Sequence, residues 1–323
     1  MELLKQLTQC WGPSGREEQI RALIYEQVKD FADEIQTDAM GNLIVRKKGT
    51  GKKIVAAAHM DEIGIVITYI DEKGFLRFSN VGGLDVKYLV HKRVVFENGV
   101  QGVICIEENT EKPEIRKMYV DIGAESADAA KKLVTIGDMA VFAGAFSEAG
   151  ERVFSKALDN RAGCYVLIKA LQALEQTEND LYFTFTVQEE VGLRGAKTAA
   201  FSIEPDFAVA VDVTDTGDCP ELGGISVSLG KGAAIKIMDR SVLSHPMVKA
   251  ELEACARAQG IPYQLEIMTD GGTDAGAIHL SGSGVKTGGI SLPARYIHSP
   301  SECIDKRDLS AAVELLCKYF TRP

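Results

Sequence analysis

Long apolar runs recur along the chain, and several have the length and composition of buried strands. They are rich in β-branched, aromatic or small apolar residues and end at polar or glycine-containing turns. Such runs are typical of strands that are covered on both faces of a sheet. We predict strands of this kind at residues 53–58, 181–187, 206–211 and 285–291.

Helical periodicity alternates with these strands. Apolar residues spaced three or four positions apart predict amphipathic helices at residues 14–31, 158–174, 245–259 and 309–320. The first helix would begin at Ser14-Gly-Arg-Glu17, which has the spacing of a capping box. Because strands and helices alternate, the sequence predicts an α/β fold.

The pattern changes between the two α/β segments. Short alternating runs are separated there by turn signals such as Asp71-Glu-Lys-Gly74 and Glu97-Asn-Gly99. We interpret this part as an all-β insertion. The predicted organisation is a discontinuous domain of residues 1–65 and 147–323 that carries an inserted β-domain of residues 66–146.

Composition narrows the class of protein. The chain has 323 residues, 46% of them hydrophobic, and a net charge of -10, which speaks against a nucleic-acid partner. We expect no membrane partner, since no apolar run has the length of a bilayer span, and no secretory signal peptide. The seven cysteines include no C-x-x-C pair, which predicts free thiols and a cytoplasmic location.

Acidic residues and a histidine stand where two predicted strands end. Glu189 and Glu190 follow the strand at 181–187, and His59 follows the strand at 53–58. Catalytic and ligand-binding groups gather at the carboxyl ends of strands in α/β proteins. Two adjacent carboxylates are costly to crowd together unless a positive charge lies between them. These termini therefore indicate a metal site.

Further metal-capable residues lie at other strand ends or helix starts, and the set of candidate ligands becomes His59, Asp159, Glu190, Asp212 and His298. Two imidazoles and three carboxylates can hold two divalent ions if one carboxylate bridges them. Zinc suits such ligands, with cobalt or manganese as alternatives. Glu189 would then act as the general base. Asp61 could orient the His59 imidazole.

Other residues compete for these roles. His279 and His245 are alternatives to His298, but the first lies in an apolar helical pattern and the second at a helix start. His91 lies in the insertion, and we interpret all three as structural. Asp274 could line the pocket, although a helix cap explains it as well.

Five motifs in order resemble the M42 family of metallo-aminopeptidases, which includes tetrahedral (TET) and glutamyl aminopeptidases. They are Ala58-His-Met-Asp-Glu-Ile-Gly64, Ala157-Leu-Asp-Asn-Arg-Ala-Gly163, Gln188-Glu-Glu-Val-Gly192, Val211-Asp-Val213 and Tyr296-Ile-His-Ser-Pro-Ser-Glu302. The resemblance runs along nearly the whole chain. It implies a mixed-sheet α/β/α peptidase domain with a dinuclear metal site and a barrel-like insertion.

The resemblance also implies roles for individual residues. One ion would be bound by His59 and Asp212, the other by Glu190 and His298, with Asp159 bridging. Glu189 would be the general base and Asp61 a supporting catalytic residue. Members of the family resemble one another in using the insertion for dimerisation and in assembling dimers into dodecamers. The expected activity is removal of N-terminal residues from short peptides.

Two other functions remain open at this point. A dinuclear site of this kind could serve a deacylase or carboxypeptidase acting on N-acyl amino acids. Alternatively, the chain could be a non-catalytic metal-binding assembly protein whose function lies in the insertion. Substrates with free and with blocked amines distinguish the aminopeptidase from the deacylase or carboxypeptidase. Any metal-dependent hydrolysis excludes the non-catalytic assembly protein.

Overall fold

A computed structural model describes residues 1–174, 176–220 and 224–322. Its helices are α1 (Glu2–Gln9), α2 (Glu18–Val28), α3 (Ala127–Lys131), α4 (Leu158–Ala173), α5 (Arg194–Ile203), α6 (Pro246–Gln259), α7 (Ala275–Ile278) and α8 (Lys306–Phe320). None of the helices in these ranges combines the length and the apolar character needed to cross a bilayer.

The strands form one open sheet and one closed barrel. In chain order they are β1 (Glu34–Thr37), β2 (Leu43–Lys47), β3 (Lys53–His59), β4 (Gly64–Ile70), β5 (Leu76–Val81), β6 (Arg93–Phe96), β7 (Gln101–Ile106), β8 (Met118–Asp121), β9 (Met139–Phe142), β10 (Ser147–Ala149), β11 (Arg152–Ser155), β12 (Asp180–Thr186), β13 (Phe207–Asp215), β14 (Ala233–Met238), β15 (Tyr263–Ile267), β16 (Lys286–Arg295) and β17 (Glu302–Asp305).

The open sheet is mixed, with a parallel centre. Its strand order is β1-β2-β12-β3-β13-β16-β17-β11-β10, and β14 joins β16 and β15 beside this path. The strands β12, β3, β13 and β16 run parallel to their neighbours in this group. Since the carboxyl ends of parallel strands meet at one edge, residues that follow these four strands come together there. We call this the site edge.

Helices cover both faces of the sheet. Alternate residues of β3 pack in opposite directions, because side chains of a strand point to opposite faces. Ile54 and Ala56 join the apolar cluster formed with α1, α2, α4, α6 and α8. Val55 and Ala57 pack instead with residues of α5 and α7. The predicted α/β/α architecture is confirmed.

The barrel closes in the order β4-β5-β8-β7-β6-β9. Its interior contains an apolar cluster that includes Ile65, Phe78, Val94, Ile104 and Val120. Closure pairs every strand of the barrel on both sides and so leaves no open edge. The predicted barrel-like β insertion in an α/β fold is confirmed.

Most element boundaries agree with the sequence within a few residues, but the predicted helix start at Ser14 was wrong. Helix α2 begins at Glu18, and its N-cap residue is Glu17, which makes no side-chain cap hydrogen bond. The Ser14 hydroxyl instead donates to Asp61 Oδ2 at 2.6 Å. Glu17 Oε1 accepts the backbone N–H groups of Gly15 and Gln188 at 2.7 and 3.1 Å. The Ser14–Asp61 and Gln188–Glu17 contacts are long-range, and they are made in place of the predicted capping box.

Candidate metal centre

The site edge brings together candidate ligands from four strands and one helix. His59 ends β3, Asp212 lies in β13, and Asp159 lies in the first turn of α4. Glu190 follows β12, and His298 follows β16. The apolar runs that form the central strands explain why His59 and Glu190 stand at or just after strand ends, whereas Asp212 lies within β13 and Asp159 lies in the first turn of α4.

The candidate ligands form two groups of three that share one residue. His59, Asp159 and Asp212 each offer an atom within 4.8 Å of the others, and so do Asp159, Glu190 and His298. Asp159 Oδ1 lies 3.1 Å from His59 Nε2, whereas its Oδ2 lies 3.3 Å from His298 Nε2. Asp159 therefore directs one oxygen toward each group.

The remaining distances complete each group. His59 Nε2 lies 3.7 Å from Asp212 Oδ1, and His298 Nε2 lies 3.2 Å from Glu190 Oε1. Each group thus has one imidazole, one carboxylate of its own and one oxygen of Asp159. Three nitrogen and oxygen donors with room for a further ligand match the donor sets of catalytic zinc sites.

The electrostatics of the cluster fit a cation. Burial raises the pKa of Glu190 and raises that of Asp212 well above the ordinary carboxyl value. Burial lowers the pKa of His298, but hydrogen bonds to Asp159 and Glu190 outweigh it and raise this pKa to about 12. Crowded, buried carboxylates of this kind are stabilised by nearby positive charge. Divalent cations can supply that charge, and neutral imidazoles can bind them.

Glu189 lies beside the two groups and belongs to neither of them. Its Oε2 is 3.9 Å from His59 Nε2, and 11% of its side chain is exposed. Burial raises its pKa well above the usual glutamate value. A carboxyl group in this position can exchange a proton with a reactant in the cleft.

Asp61 makes more contacts than its predicted role required. Its Oδ1 is 3.4 Å from His59 Nδ1, and its own carbonyl oxygen is 3.2 Å from the same nitrogen. The two carboxylate oxygens also accept the backbone N–H groups of Glu189 and Glu190, at 3.1 and 3.2 Å. Asp61 thus connects β3 with the turn that carries both glutamates. No sequence pattern indicates this second contact.

Glu302 is a site residue to which the sequence pattern assigns no role. Its side chain is 2% exposed, and its two oxygens accept the backbone N–H groups of Asp159 and His298. It stands four positions after His298 in one of the five motifs. This short spacing from a candidate ligand is the sequence feature that could have indicated a role for Glu302.

The other candidates lie outside the two groups. His279 Nδ1 lies 3.0 Å from the Ala275 carbonyl oxygen within its own helical turn, and His245 accepts the Met247 N–H at the start of α6. Asp274 precedes α7 but makes no side-chain cap. It instead accepts the Thr186 hydroxyl at 2.5 Å, and burial raises its pKa to about 6. The cap interpretation of Asp274 was wrong.

A cleft of about 500 Å³ opens over the cluster. Lys236 and Asp239 line one side of it, together with Met268 and the segment from Gly271 to Thr273. Its size is in the range of small-molecule and peptide-residue sites. The cluster is therefore accessible to a substrate.

Comparison with known proteins identifies the class to which this fold and cleft belong. Residues 41–315 match the family described as M42 glutamyl aminopeptidase. The lysyl aminopeptidase of Pyrococcus furiosus is 35% identical, covering 97% of this chain and 94% of its own length. The chain therefore belongs to the M42 family, as the motifs predicted. It is an aminopeptidase, a hydrolase that acts on peptide bonds.

Solved structures agree along the full length. An aminopeptidase of the archaeon Desulfurococcus kamchatkensis is 42% identical with a TM-score of 0.96, covering 99% of this chain and 94% of its own. The TET1 peptidase of Pyrococcus horikoshii is 39% identical with a TM-score of 0.90, covering 100% and 99%. That peptidase is described as assembling into a tetrahedron or a large octahedral shell.

Proposed function

We propose that this aminopeptidase works with two divalent metal ions. His59 and Asp212 would hold one, Glu190 and His298 would hold the other, and Asp159 would offer one oxygen to each. The observation that carries the proposal is the division of the Asp159 carboxylate, with one oxygen 3.1 Å from His59 and the other 3.3 Å from His298. Zinc suits these donors, with cobalt and manganese as alternatives.

The chain's own residues supply the proton transfers. Divalent ions held by these residues would supply Lewis acidity toward a water molecule and the scissile carbonyl. Glu189 takes the proton of the attacking water and delivers it to the leaving amine nitrogen. Asp61 supports this role by holding the backbone of Glu189 and Glu190 through two N–H contacts. Glu189 is suited to act as the base because its carboxyl group belongs to neither group of candidate metal ligands.

We further propose that the substrates are short peptides with a free N-terminus and that they are hydrolysed in the cytoplasm. No disulfide joins the cysteines of the described residues, which suits a reducing compartment. The insertion of residues 66–146 serves as the dimerisation domain, and dimers assemble into a dodecamer. Likeness to the TET1 peptidase supports a homo-oligomer.

Family membership favours this function over the alternatives. The deacylase hypothesis shares the centre but has no relative among the proteins described above. A non-catalytic assembly protein has no need of a buried glutamate beside a cluster of ligands, whereas a hydrolase does.

The test is a substrate panel on metal-stripped protein reloaded with zinc, cobalt or manganese. We expect two ions per chain by elemental analysis and cleavage of aminoacyl amides only after reloading. N-acylated versions of the same amides serve as the matched control and should resist cleavage. Cleavage confined to the blocked amides would favour the deacylase, and uptake of fewer than two ions would contradict the dinuclear centre.

A further inference from the structure

Glu302 occupies a rigid position next to the candidate centre without being one of its ligands. It is the first residue of β17. Glu302 pairs with Ser155 of β11, and the next residue, Cys303, pairs with Arg295 of β16. Its side chain is 2% exposed. A buried carboxylate is costly unless its oxygens are satisfied, so its contacts identify what it does.

Both oxygens of Glu302 are used by the backbones of candidate ligands. Oε2 accepts the N–H of Asp159 at 2.9 Å, and Oε1 accepts the N–H of His298 at 2.9 Å. These two residues belong to separate segments of the chain, since 143 positions separate Asp159 from Glu302 whereas four separate His298 from it. One carboxylate thus connects the residue shared by both ligand groups to the imidazole of one group.

Neither backbone is held in place by regular secondary structure. The φ of His298 is 62°, in the left-handed region that non-glycine residues rarely adopt. Asp159 lies in the first turn of α4 with non-helical φ and ψ of -75° and 105°. N–H groups in a first helical turn lack an intrahelical acceptor, and the cap residue Ala157 offers no side-chain acceptor. Glu302 supplies the acceptor in both places.

We infer that Glu302 is a positioning residue that sets the distance between the Asp159 carboxylate and the His298 imidazole, and so preorganises the centre for two cations. The inference rests on the proposed dinuclear function. It differs from ordinary support of a metal ligand, because Glu302 acts on two backbones rather than on a ligand side chain. The strand β17 provides the fixed reference from which both ligands are placed.

The test variant is Glu302→Gln. The amide keeps the volume of the side chain, but its NH₂ group faces a backbone N–H, so one of the two contacts is lost. Loss of a group that orients metal ligands weakens binding by about 10-fold to 100-fold. We therefore expect the affinity for Zn²⁺, measured by competition with a chromogenic chelator, to fall by this factor.

Asp308→Asn is the matched control. Asp308 is 1% exposed and also accepts two backbone N–H groups, those of Gly230 and Gly232, both at 2.7 Å. None of these three residues lines the cleft over the candidate ligands. The amide replacement removes the same kind of contact, so it should lower thermal stability to a similar extent and leave Zn²⁺ affinity unchanged.

A second measurement reports geometry without turnover. The visible absorption of bound Co²⁺ depends on the arrangement of its ligands, so the Co²⁺-saturated Glu302→Gln protein should show an altered band. The Asp308→Asn protein should keep the wild-type band. If Glu302→Gln does not fold, Glu302→Asp replaces it. That variant keeps both acceptor oxygens but withdraws them by one methylene, and it should also bind Zn²⁺ about tenfold more weakly.

Wild-type Zn²⁺ affinity and an unchanged Co²⁺ spectrum in the Glu302 variant would overturn the inference. Equal weakening in the Asp308 variant would overturn it as well, because the effect would then reflect stability alone. Failure of the dinuclear proposal is recognised separately, since wild-type protein would then take up fewer than two ions whatever residue stands at position 302.

Discussion

The barrel and the site edge bury opposite kinds of side chain. The barrel core is apolar, and among the described residues no buried polar or charged side chain falls between positions 63 and 154. At the site edge, His59, Asp61, Asp212 and Glu302 are all less than a tenth exposed. Burying charges opposes folding unless they are paired. The buried side chains of the barrel are therefore those that stabilise a fold. The site edge instead buries charged side chains, and the stability of the fold alone does not explain them.

Asp159→Ala should have the largest effect and sharpens the contrast most. The substitution removes the one carboxylate shared by both groups of candidate ligands. We expect uptake of fewer than two ions by elemental analysis and turnover at the level of the uncatalysed reaction. An Asp159→Ala protein that retains two ions and turnover would show that the shared carboxylate is not needed.

Glu189→Gln should keep both ions and lower kcat by about 10²–10⁴-fold, because the amide cannot accept the proton. Elemental analysis and steady-state kinetics on an aminoacyl amide measure the two quantities. Glu107→Gln is the control in the barrel, where the exposed carboxylate pairs with Arg77 at 2.7 Å. Retained turnover in the Glu189 variant would end its assignment as the base.

Ser14→Ala should have a smaller effect on kcat. It removes the hydroxyl that donates to Asp61 Oδ2 at 2.6 Å, and so loosens the carboxylate that holds the Glu189–Glu190 turn. A hydrogen bond to a charged group contributes at least about 1.5 kcal/mol, which corresponds to a fall in kcat of about tenfold at saturating metal.

Ser155→Ala is the matched control for Ser14. Ser155 is also buried, and its hydroxyl donates to Thr8 at 3.0 Å in the same N-terminal region without touching Asp61. The Ser155→Ala protein should be less stable than the wild type but have the same kcat. Full recovery of the Ser14 variant in excess metal would mean that Ser14 acts through metal affinity rather than through the turn.

Ile104→Ala in the barrel should have the smallest effect on catalysis. Ile104 is fully buried in the apolar cluster, so truncation should destabilise the protein by about 2–5 kcal/mol. Urea unfolding measures this loss. Turnover per folded molecule should stay at the wild-type value. A lower value would contradict the claim that the barrel core affects stability but not catalysis.

Much of the fold was predictable from the sequence because it depends on local patterns. The runs at 53–58 and 181–187 became β3 and β12 within one residue at either end, and the helix predicted at 158–174 became α4. Uninterrupted apolar runs are typical of buried strands when they are short and bounded by turn signals, since buried helices are longer. The change to short alternating runs likewise marked the barrel.

The positions of the candidate ligands could also be predicted, since each follows a predicted strand or begins a helix. Their roles as ligands and the role of Glu189 as the base remain predictions. The Ser14–Glu17 spacing misled because a local cap and a long-range contact use the same residue types. Ser14 donates instead to a carboxylate 47 positions away.

The sequence by itself therefore determined the alternation of strands and helices, the presence of a β insertion and which candidate ligands stand at the site edge. Only the tertiary structure decided that Asp159 faces both groups of ligands, that Asp61 holds the glutamate turn and that Glu302 connects Asp159 with His298. The physical reason is range. Hydrophobic periodicity is a property of neighbouring residues, whereas a hydrogen bond between segments more than 100 positions apart exists only after the sheet has brought them together.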